Sequence, residues 1–524
     1  MEETADAVVG EDARIPRWYL ALVAVVPALL TLVAVRLNRP QVGPDAVSYI
    51  AVADSIRHGD GLGFFVERPL TTWPPLWPLL LAGGTAVTGW RGDEVALAFN
   101  AVMAGGTVLT TAAIATRVLV SRTLRMILLA ALAVSPLLIG LAAIVQTEVA
   151  FVLITAVTIL LLLVATERRQ PALLVAAGLV TAVGFGIRYQ ALYVVPAFAL
   201  WLAVRAWHRD RRIGRAVADV CWYAVPAVVP SAAWMARNLS VSDTAMGPRF
   251  PSSVGPAANV AAAFRTVAKF VTSIPAGPNL PLALLGVVIV GVIAISVLRT
   301  QRPDPPEPLR GRLLDSASGP VGLLTIFTVG FMGLMVVSRS VVGFDDLDIR
   351  LLAPCMIPVA LLLLRWVELT FLQRARGRGI GWTIVGVWVG AQVLVTLALL
   401  GPSNSLITDS GYNATRAVAA SQSPAIAALP ADCVPYSNNS ADLYRSGVEA
   451  AISPRRNEYK SDQPTNDLSE LGRRVAAGER ACLIWVDYTE DDEYHSLADL
   501  RSVAELEQVA SADGVTTYVL SPRR

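Results

Sequence analysis

The sequence predicts an α-helical polytopic membrane protein of about eleven transmembrane helices, followed by a small C-terminal extracytoplasmic α/β domain. Three observations predict it. Hydrophobic residues make up 54% of the 524 and charged residues only 16%, where a soluble chain carries about 25% charged. Mean hydropathy is +0.54, and the apolar residues fall in runs of roughly 20, the length that crosses ~30 Å of hydrocarbon. From about 402 onward Asp, Glu, Ser and Asn become frequent. So much apolar sequence does not fit into one water-soluble core. Disorder and a disulfide scaffold are excluded by the same composition. With a formal net charge of +2 and no basic block, nucleic acid is excluded as a partner.

The runs stand at about 18–37, 95–116, 126–143, 148–165, 171–187, 190–206, 214–235, 280–298, 319–337, 350–368 and 380–401. A shorter apolar piece at 74–89 is interrupted by Pro74, Pro75, Pro78, Gly83 and Gly84. It reads as a re-entrant or interfacial helix, or as a twelfth span. Eleven spans with the first seventeen residues in the cytoplasm put the arginine-rich short loops inside, as orientation by positive charge requires. Those loops hold Arg117, Arg122 and Arg125; Arg168 and Arg169; Arg205, Arg209, Arg211, Arg212 and Arg215; Arg299, Arg302, Arg310 and Arg312; and Arg374, Arg376 and Arg378. The outer face receives 38–94, the turns at Gln146–Thr147 and Arg188, 236–279 and 338–349. A twelfth span would turn several arginine clusters outward. The expected organisation is therefore 1–17 inside, 18–401 in the membrane with a first outer loop at 38–94, and 402–524 outside. The 18–37 run has no cleavage pattern and reads as a first span, not a signal peptide.

The polar tail alternates strand and helix. Asp432–Ser437 and Arg480–Tyr488 read as strands, Asp467–Ala477 as an amphipathic helix, and Val503–Leu520 as a hairpin turning at Asp513–Gly514, a pair favoured in tight hairpins. Cys433 and Cys482 each stand at the start of a predicted strand, where an oxidising compartment permits a bridge that spacing alone does not establish. Cys221 and Cys355 fall within spans and read as packing residues. No metal-binding His/Cys motif, phosphate-binding lysine loop or dinucleotide fingerprint is present.

The first outer loop is the most informative stretch. Asp45 lies just past the first span and opens a short helix on which Tyr49 and Ala53 share a face. Gly59, Gly61 and Gly63 end that helix, and Trp73-Pro-Pro-Leu-Trp-Pro78 begins the short apolar piece. Taken alone, Asp45 also reads as a helix N-cap beside Pro44. Glu148 enters a span after Gln146–Thr147, where a charge is costly unless paired or wet; its plain reading is a helix-start carboxylate capped by Thr147. Arg188, Arg237, Arg249, Arg339 and Arg350 stand at outer boundaries, against the orientation rule. Arginine is the usual partner of phosphate, although a single one is more often an interfacial side chain reaching for water. Arg350 follows Asp345, Asp346 and Asp348, which offer it ion pairs.

This ordered set resembles the GT-C polytopic glycosyltransferases, in the branch of the protein O-mannosyltransferases and the lipid A aminoarabinose transferase. The matching pieces are Asp45 with Tyr49, Gly59-Asp-Gly61, Trp73-Pro-Pro-Leu-Trp-Pro-Leu-Leu80, Thr147–Glu148, Gly186-Ile-Arg-Tyr-Gln190, Trp234-Met-Ala-Arg-Asn238 and Asp348-Ile-Arg-Leu-Leu-Ala-Pro354. They run from about 40 to 360 in the family's order. The resemblance implies transfer of a hexosyl or pentosyl group from a polyprenyl-phosphate sugar to an acceptor hydroxyl of a glycan, lipid or protein at the outer face of the plasma membrane, with inversion. It makes Asp45 the general base and Glu148 a second catalytic-site carboxylate. Tyr49, Arg188, Tyr189, Arg237 and Arg350 become substrate-binding residues, the arginines holding the leaving phosphate.

One departure concerns a divalent metal. Where the lipid A relative has an acidic residue and a lysine before its re-entry prolines, this chain has Thr72 and Trp73, with Glu67 and Arg68 nearby. The expectation is turnover without a metal. The tail resembles caps of bacterial relatives at Val434-Pro-Tyr-Ser-Asn-Asn439 and is expected to cover the site or select the acceptor. Two rival readings remain, a flippase for lipid-linked glycans and a non-catalytic scaffold. The first would show repeats and mid-membrane polar sites, whereas the polar groups here gather at the outer rim.

Overall fold

The computed structural model describes residues 14–38, 42–64, 68–273, 279–299, 309–400, 418–420, 422–445, 447–459, 461–487, 489 and 493–523. The segment 1–13, Glu67, Arg302 and Lys460 lie outside the described residues. Helices follow the apolar runs: α1 (Arg17–Asn38), α2 (Pro44–His58), α3 (Leu76–Thr88), α4 (Gly92–Val118), α5 (Arg122–Ala133), α6 (Pro136–Ala142), α7 (Glu148–Arg168), α8 (Pro171–Ile187), α9 (Ala191–Asp210) and α10 (Ile213–Ser242). Then come α11 (Pro256–Thr272), α12 (Asn279–Arg299), α13 (Leu309–Ser318), α14 (Pro320–Val341), α15 (Ile349–Leu352), α16 (Met356–Val367) and α17 (Arg378–Leu400).

Among the described residues, eight helices are long and apolar enough to cross a membrane, or nine if the bent pair α5–α6 is one span. That pair corrects the expectation of one unbroken span at 126–143. Ser135 accepts from Leu138 N and Pro136 has no N–H to continue the ladder, so the chain turns by 40° there. The apolar helix α8 is shorter, at 17 residues, while α12 covers the run expected at 280–298. The piece expected at 74–89 forms α3, 13 residues long; at 1.5 Å per residue that is ~20 Å, too short to span.

The bundle is a chain of neighbours. α1 packs on α4, α4 on α7, α7 on α8, α8 on α10, α10 on α9, α9 on α14 and α14 on α16. Its centre is aromatic: Phe198 stacks on Phe327 at 5.0 Å and Phe327 on Phe331 at 5.6 Å, with Trp201 and Tyr223 fully buried beside them. Close helix crossings depend on glycine. A Cβ on Gly178 would stand 2.2 Å from the carbonyl of Tyr223, and one on Gly105 2.5 Å from that of Ala24. The opposite end from α2 and α3 is tied by Glu368, whose buried carboxylate accepts from Val120 N (3.2 Å), Ser121 N (2.6 Å) and Arg365 (2.6 Å).

α2 and α3 pack together over the bundle end around Val47, Trp77 and Leu81, joined by the short antiparallel pair β1 (Gly63–Phe64) and β2 (Arg68–Pro69). The tail folds around a sheet of β3 (Val434–Ser437), β4 (Ala451–Ile452), β5 (Ala481–Val486), β6 (Glu505–Ala512) and β7 (Val515–Ser521), in the order β4-β3-β5-β7-β6. β3 runs parallel to β4 and β5, while β7 is antiparallel to β5 and β6. The hairpin turns at Asp513 and Gly514, both at positive φ, as expected. The helix Asp467–Ala476 buries Leu471 and Val475, and Cys433 is bonded to Cys482.

A Gly178→Ala variant should lower the melting temperature in detergent, because its methyl must displace backbone of α10, an overpacking worth about 1–3 kcal/mol. Ala substitution at Gly291, where nothing lies within 4 Å of the added carbon, should leave the melting temperature unchanged.

Candidate active site

Gly43 is the extended residue that starts α2 and Pro44 occupies its first turn. Asp45 therefore stands inside the first turn and is not the N-cap, with its carboxylate near the positive end of the helix dipole. Gly59 closes the helix at φ 91°. Arg350 comes from 305 residues further along the chain. The Asp348 carboxylate accepts from Arg350 N (3.0 Å) and Leu351 N (3.1 Å), and this capped start of α15 sets the arginine at the bundle mouth.

The Arg350 guanidinium lies between the two carboxylates that the sequence singled out. Nη2 donates to Asp45 Oδ2 at 3.2 Å and Nε to Glu148 Oε1 at 3.0 Å, with Asp345 3.9 Å from Nη1. Arg188 approaches from the end of α8. Its Nη1 donates to Thr147 Oγ1 at 2.8 Å and pairs with Glu148 Oε1 at 3.0 Å, while Nε donates to Gln190 at 3.1 Å. Thr147 thus accepts from Arg188 and does not cap α7 with its side chain, contrary to the plain reading. Two guanidinium groups compensate a Glu148 side chain that is 1% exposed. Asp45 is different: its side chain is 33% exposed, so of these two carboxylates it is the one that an incoming molecule can reach. Burial pushes the Asp45 carboxyl above the usual range against the pull of Arg350, and the charges of Asp345 and Glu148 add to the rise.

Tyr49 follows one turn after Asp45 and is buried, its ring edge-on to Trp73 at 6.1 Å. Burial, then the Asp45 charge, keep its phenol protonated well above the ordinary range. Tyr189 and Arg237 form a second group beside the first. The Tyr189 hydroxyl donates to Thr71 O (2.7 Å) and accepts from Trp234 Nε1 (2.9 Å) and Asn238 Nδ2 (3.0 Å). Arg237 donates to Leu70 O at 2.7 Å and lies 4.9 Å over the Trp234 ring. Both side chains anchor residues 70–73, the entry to the Trp-Pro-Pro-Leu-Trp-Pro run. The tail reaches the same mouth: Tyr459 donates to the Asp345 carboxylate, and Tyr444 to Asp54 Oδ2 at 3.3 Å.

The same architecture occurs in solved structures. ArnT from Cupriavidus metallidurans in the apo state matches with a TM-score of 0.59 at 14% identity, over 96% of this chain and 98% of that one. The same protein bound to undecaprenyl phosphate matches at 0.56 and 13% identity, with equal coverage. The fold is GT-C. The archaeal oligosaccharyltransferase AglB from Archaeoglobus fulgidus, in complex with an inhibitory peptide and a dolichol-phosphate, matches at 0.53 and 11% identity, over 96% of this chain and 74% of that one. Residues 72–234, under a third of the chain, match the family model of dolichyl-phosphate-mannose-protein mannosyltransferase. No curated protein matches the chain. The GT-C fold with that family match supports a membrane glycosyltransferase.

Among the described residues no three His, Cys, Asp or Glu side chains gather to hold a divalent cation. The position between Asp45 and Glu148 is taken by the Arg350 guanidinium, itself a cation hydrogen-bonded to both.

Tyr459 and Asp345 were not singled out as site residues from the sequence. Their contact joins positions 114 residues apart, and a tyrosine in a polar tail carries no periodic or motif signal that marks it.

Replacing Arg350 by Ala leaves Glu148 buried with one cation fewer and should destabilise the protein by about 3 kcal/mol. Adding Glu148→Gln to that variant should restore part of the loss in melting temperature. Strictly additive losses in a double-mutant cycle would mean that the two side chains are not coupled.

Proposed function

We propose that the protein transfers a sugar from a polyprenyl-phosphate-linked donor to an acceptor hydroxyl at the outer membrane face. The observation that carries this reading is the convergence of Asp45, Glu148, Arg188 and Arg350 at one mouth of a GT-C bundle. The solved relatives bound to undecaprenyl phosphate and dolichol-phosphate support a lipid phosphate as the donor's leaving group.

In the proposed reaction the acceptor oxygen attacks the anomeric carbon while the bond from that carbon to the phosphate oxygen breaks. The electron pair leaves with the polyprenyl phosphate. The acceptor proton passes to Asp45, whose Oδ2 is held by Arg350 so that Oδ1 is the oxygen turned to this task. A single displacement inverts the anomeric centre. Arg350 and Arg188 provide cationic donors where charge grows on the leaving phosphate, and Arg237 stands near the anchored 70–73 segment to extend that field. Glu148 holds both guanidinium groups in place. Tyr49 and Tyr189 fix the α2 face and the re-entry segment that frame the acceptor.

Sugar transfer by purified protein in nanodiscs, with a panel of polyprenyl-phosphate sugars, tests the reading. Asp45→Asn should slow transfer by on the order of a hundredfold or more while the melting temperature is kept. The base works only when ionised, so kcat/KM should fall as pH drops through the raised Asp45 value, at a pH above the ordinary carboxylate range. Chelators should leave the rate unchanged. Full activity in a folded Asp45→Asn protein would remove Asp45 as the base.

The same reading places the first residues and the arginine-rich turns in the cytoplasm, and α2 and the tail outside the plasma membrane. The Cys433–Cys482 bond supports an oxidising side for the tail. In intact cells, a membrane-impermeant maleimide should label Ser469→Cys and spare Arg376→Cys. The reverse pattern would invert the topology.

A further inference from the structure

The other end of the bundle carries a feature that sugar transfer does not use. α7 ends with Arg169 in the left-handed conformation and α9 with Arg211 in the same state. Each turn re-enters the bundle at once, at Pro171 and Ile213. Between the two turns lies a cavity of about 440 Å³. Arg169, Arg205, Arg209, Arg212 and Arg215 line it, against one carboxylate, Asp219. α7 separates it from Glu148 by 21 residues, or ~30 Å.

Asp219 pairs with Arg215 at 3.2 Å. Arg205 is half-buried, held by its bond to Ser318 O at 2.6 Å and by the Trp201 ring at 5.5 Å. Arg169, Arg209 and Arg212 have no carboxylate partner among the described residues. Solvated arginines of an inner loop can spread apart to lower their repulsion. Here they converge on a cavity whose walls include the buried Leu174 and Leu202. An open-mouthed cavity with that excess of positive charge is stabilised by a bound anion.

We infer that this cavity binds the phosphate head group of an anionic membrane lipid. Arg205 and Arg209 would meet the phosphate from α9, Arg169 and Arg212 from the two turns. Phosphate is the chemistry that several guanidinium groups recognise together. The lipid source follows from position: α10 leaves the arginine turn with Val217, Trp222 and Val225 exposed, an apolar surface along which acyl chains can lie. Basic pockets between helices at the cytoplasmic side suit such head groups. The inference uses no residue of the proposed transfer site and rests on the membrane orientation proposed above.

The test uses the full chain, purified in detergent and delipidated. Phosphatidylglycerol should raise its melting temperature at lower concentration than phosphatidylcholine does, and native mass spectrometry should show phosphatidylglycerol retained. In Arg209→Gln/Arg212→Gln the half-saturating phosphatidylglycerol should rise by on the order of tenfold or more. Arg374→Gln/Arg376→Gln removes equal charge from the same face outside the cavity and should leave it unchanged. Arg169→Gln serves as the cavity variant should the double one not fold. Inorganic phosphate matching the effect of phosphatidylglycerol would overturn the lipid assignment. Equal weakening in the two double variants, or no preference over phosphatidylcholine, would overturn the site.

Discussion

A single guanidinium holds the candidate site together. Arg350 meets Asp45 from the first outer helix and Glu148 from the head of a membrane helix, joining parts of the chain 305 and 202 residues away from it. Glu148 is almost fully buried at the end of an apolar helix, where a lone carboxylate would be strongly unfavourable. Arg188 supplies the second cation from α8. The positions of α2, α7, α8 and α15 at the bundle mouth are thus set by one electrostatic requirement: a buried negative charge must find its partners.

That requirement also divides the labour between the two carboxylates. Glu148 is enclosed and doubly paired, which suits it to holding the arginines. Asp45 shares Arg350 but remains a third exposed, and its carboxyl is raised by burial and by neighbouring negative charge. In the proposed reaction this carboxylate, with one oxygen anchored and the other facing the mouth, takes the acceptor proton. The tail adds a further connection, since Tyr459 engages Asp345 beside the same arginine.

Much of this was legible before the fold was known. The apolar runs gave helices, broken in two at 126–143, and the Asp513–Gly514 pair turned the hairpin that its type demands. Asp45, Glu148, Arg188 and Arg350 stood out because charge beside an apolar run is costly and so carries information. The break at Ser135–Pro136 was present in the sequence too, yet an apolar run of span length outweighed one proline. Thr147 shows the opposite case. A threonine before a helix reads as a cap, and only the approach of Arg188 across 41 residues changed its partner.

The sequence by itself determined the membrane class, the order of the helices, the polar tail and the residue types available for chemistry. These follow from local composition and periodicity, which need no knowledge of distant contacts. The tertiary structure decided which charges meet. It put Arg350 between Asp45 and Glu148, turned Tyr189 and Arg237 toward the 70–73 backbone, and drew five arginines from α9, α10 and two turns around one cavity. The physical reason is the range of the interactions: hydrophobic patterning acts along the chain, while ion pairs and hydrogen bonds form between residues that only the packing of the helices brings within about 3 Å.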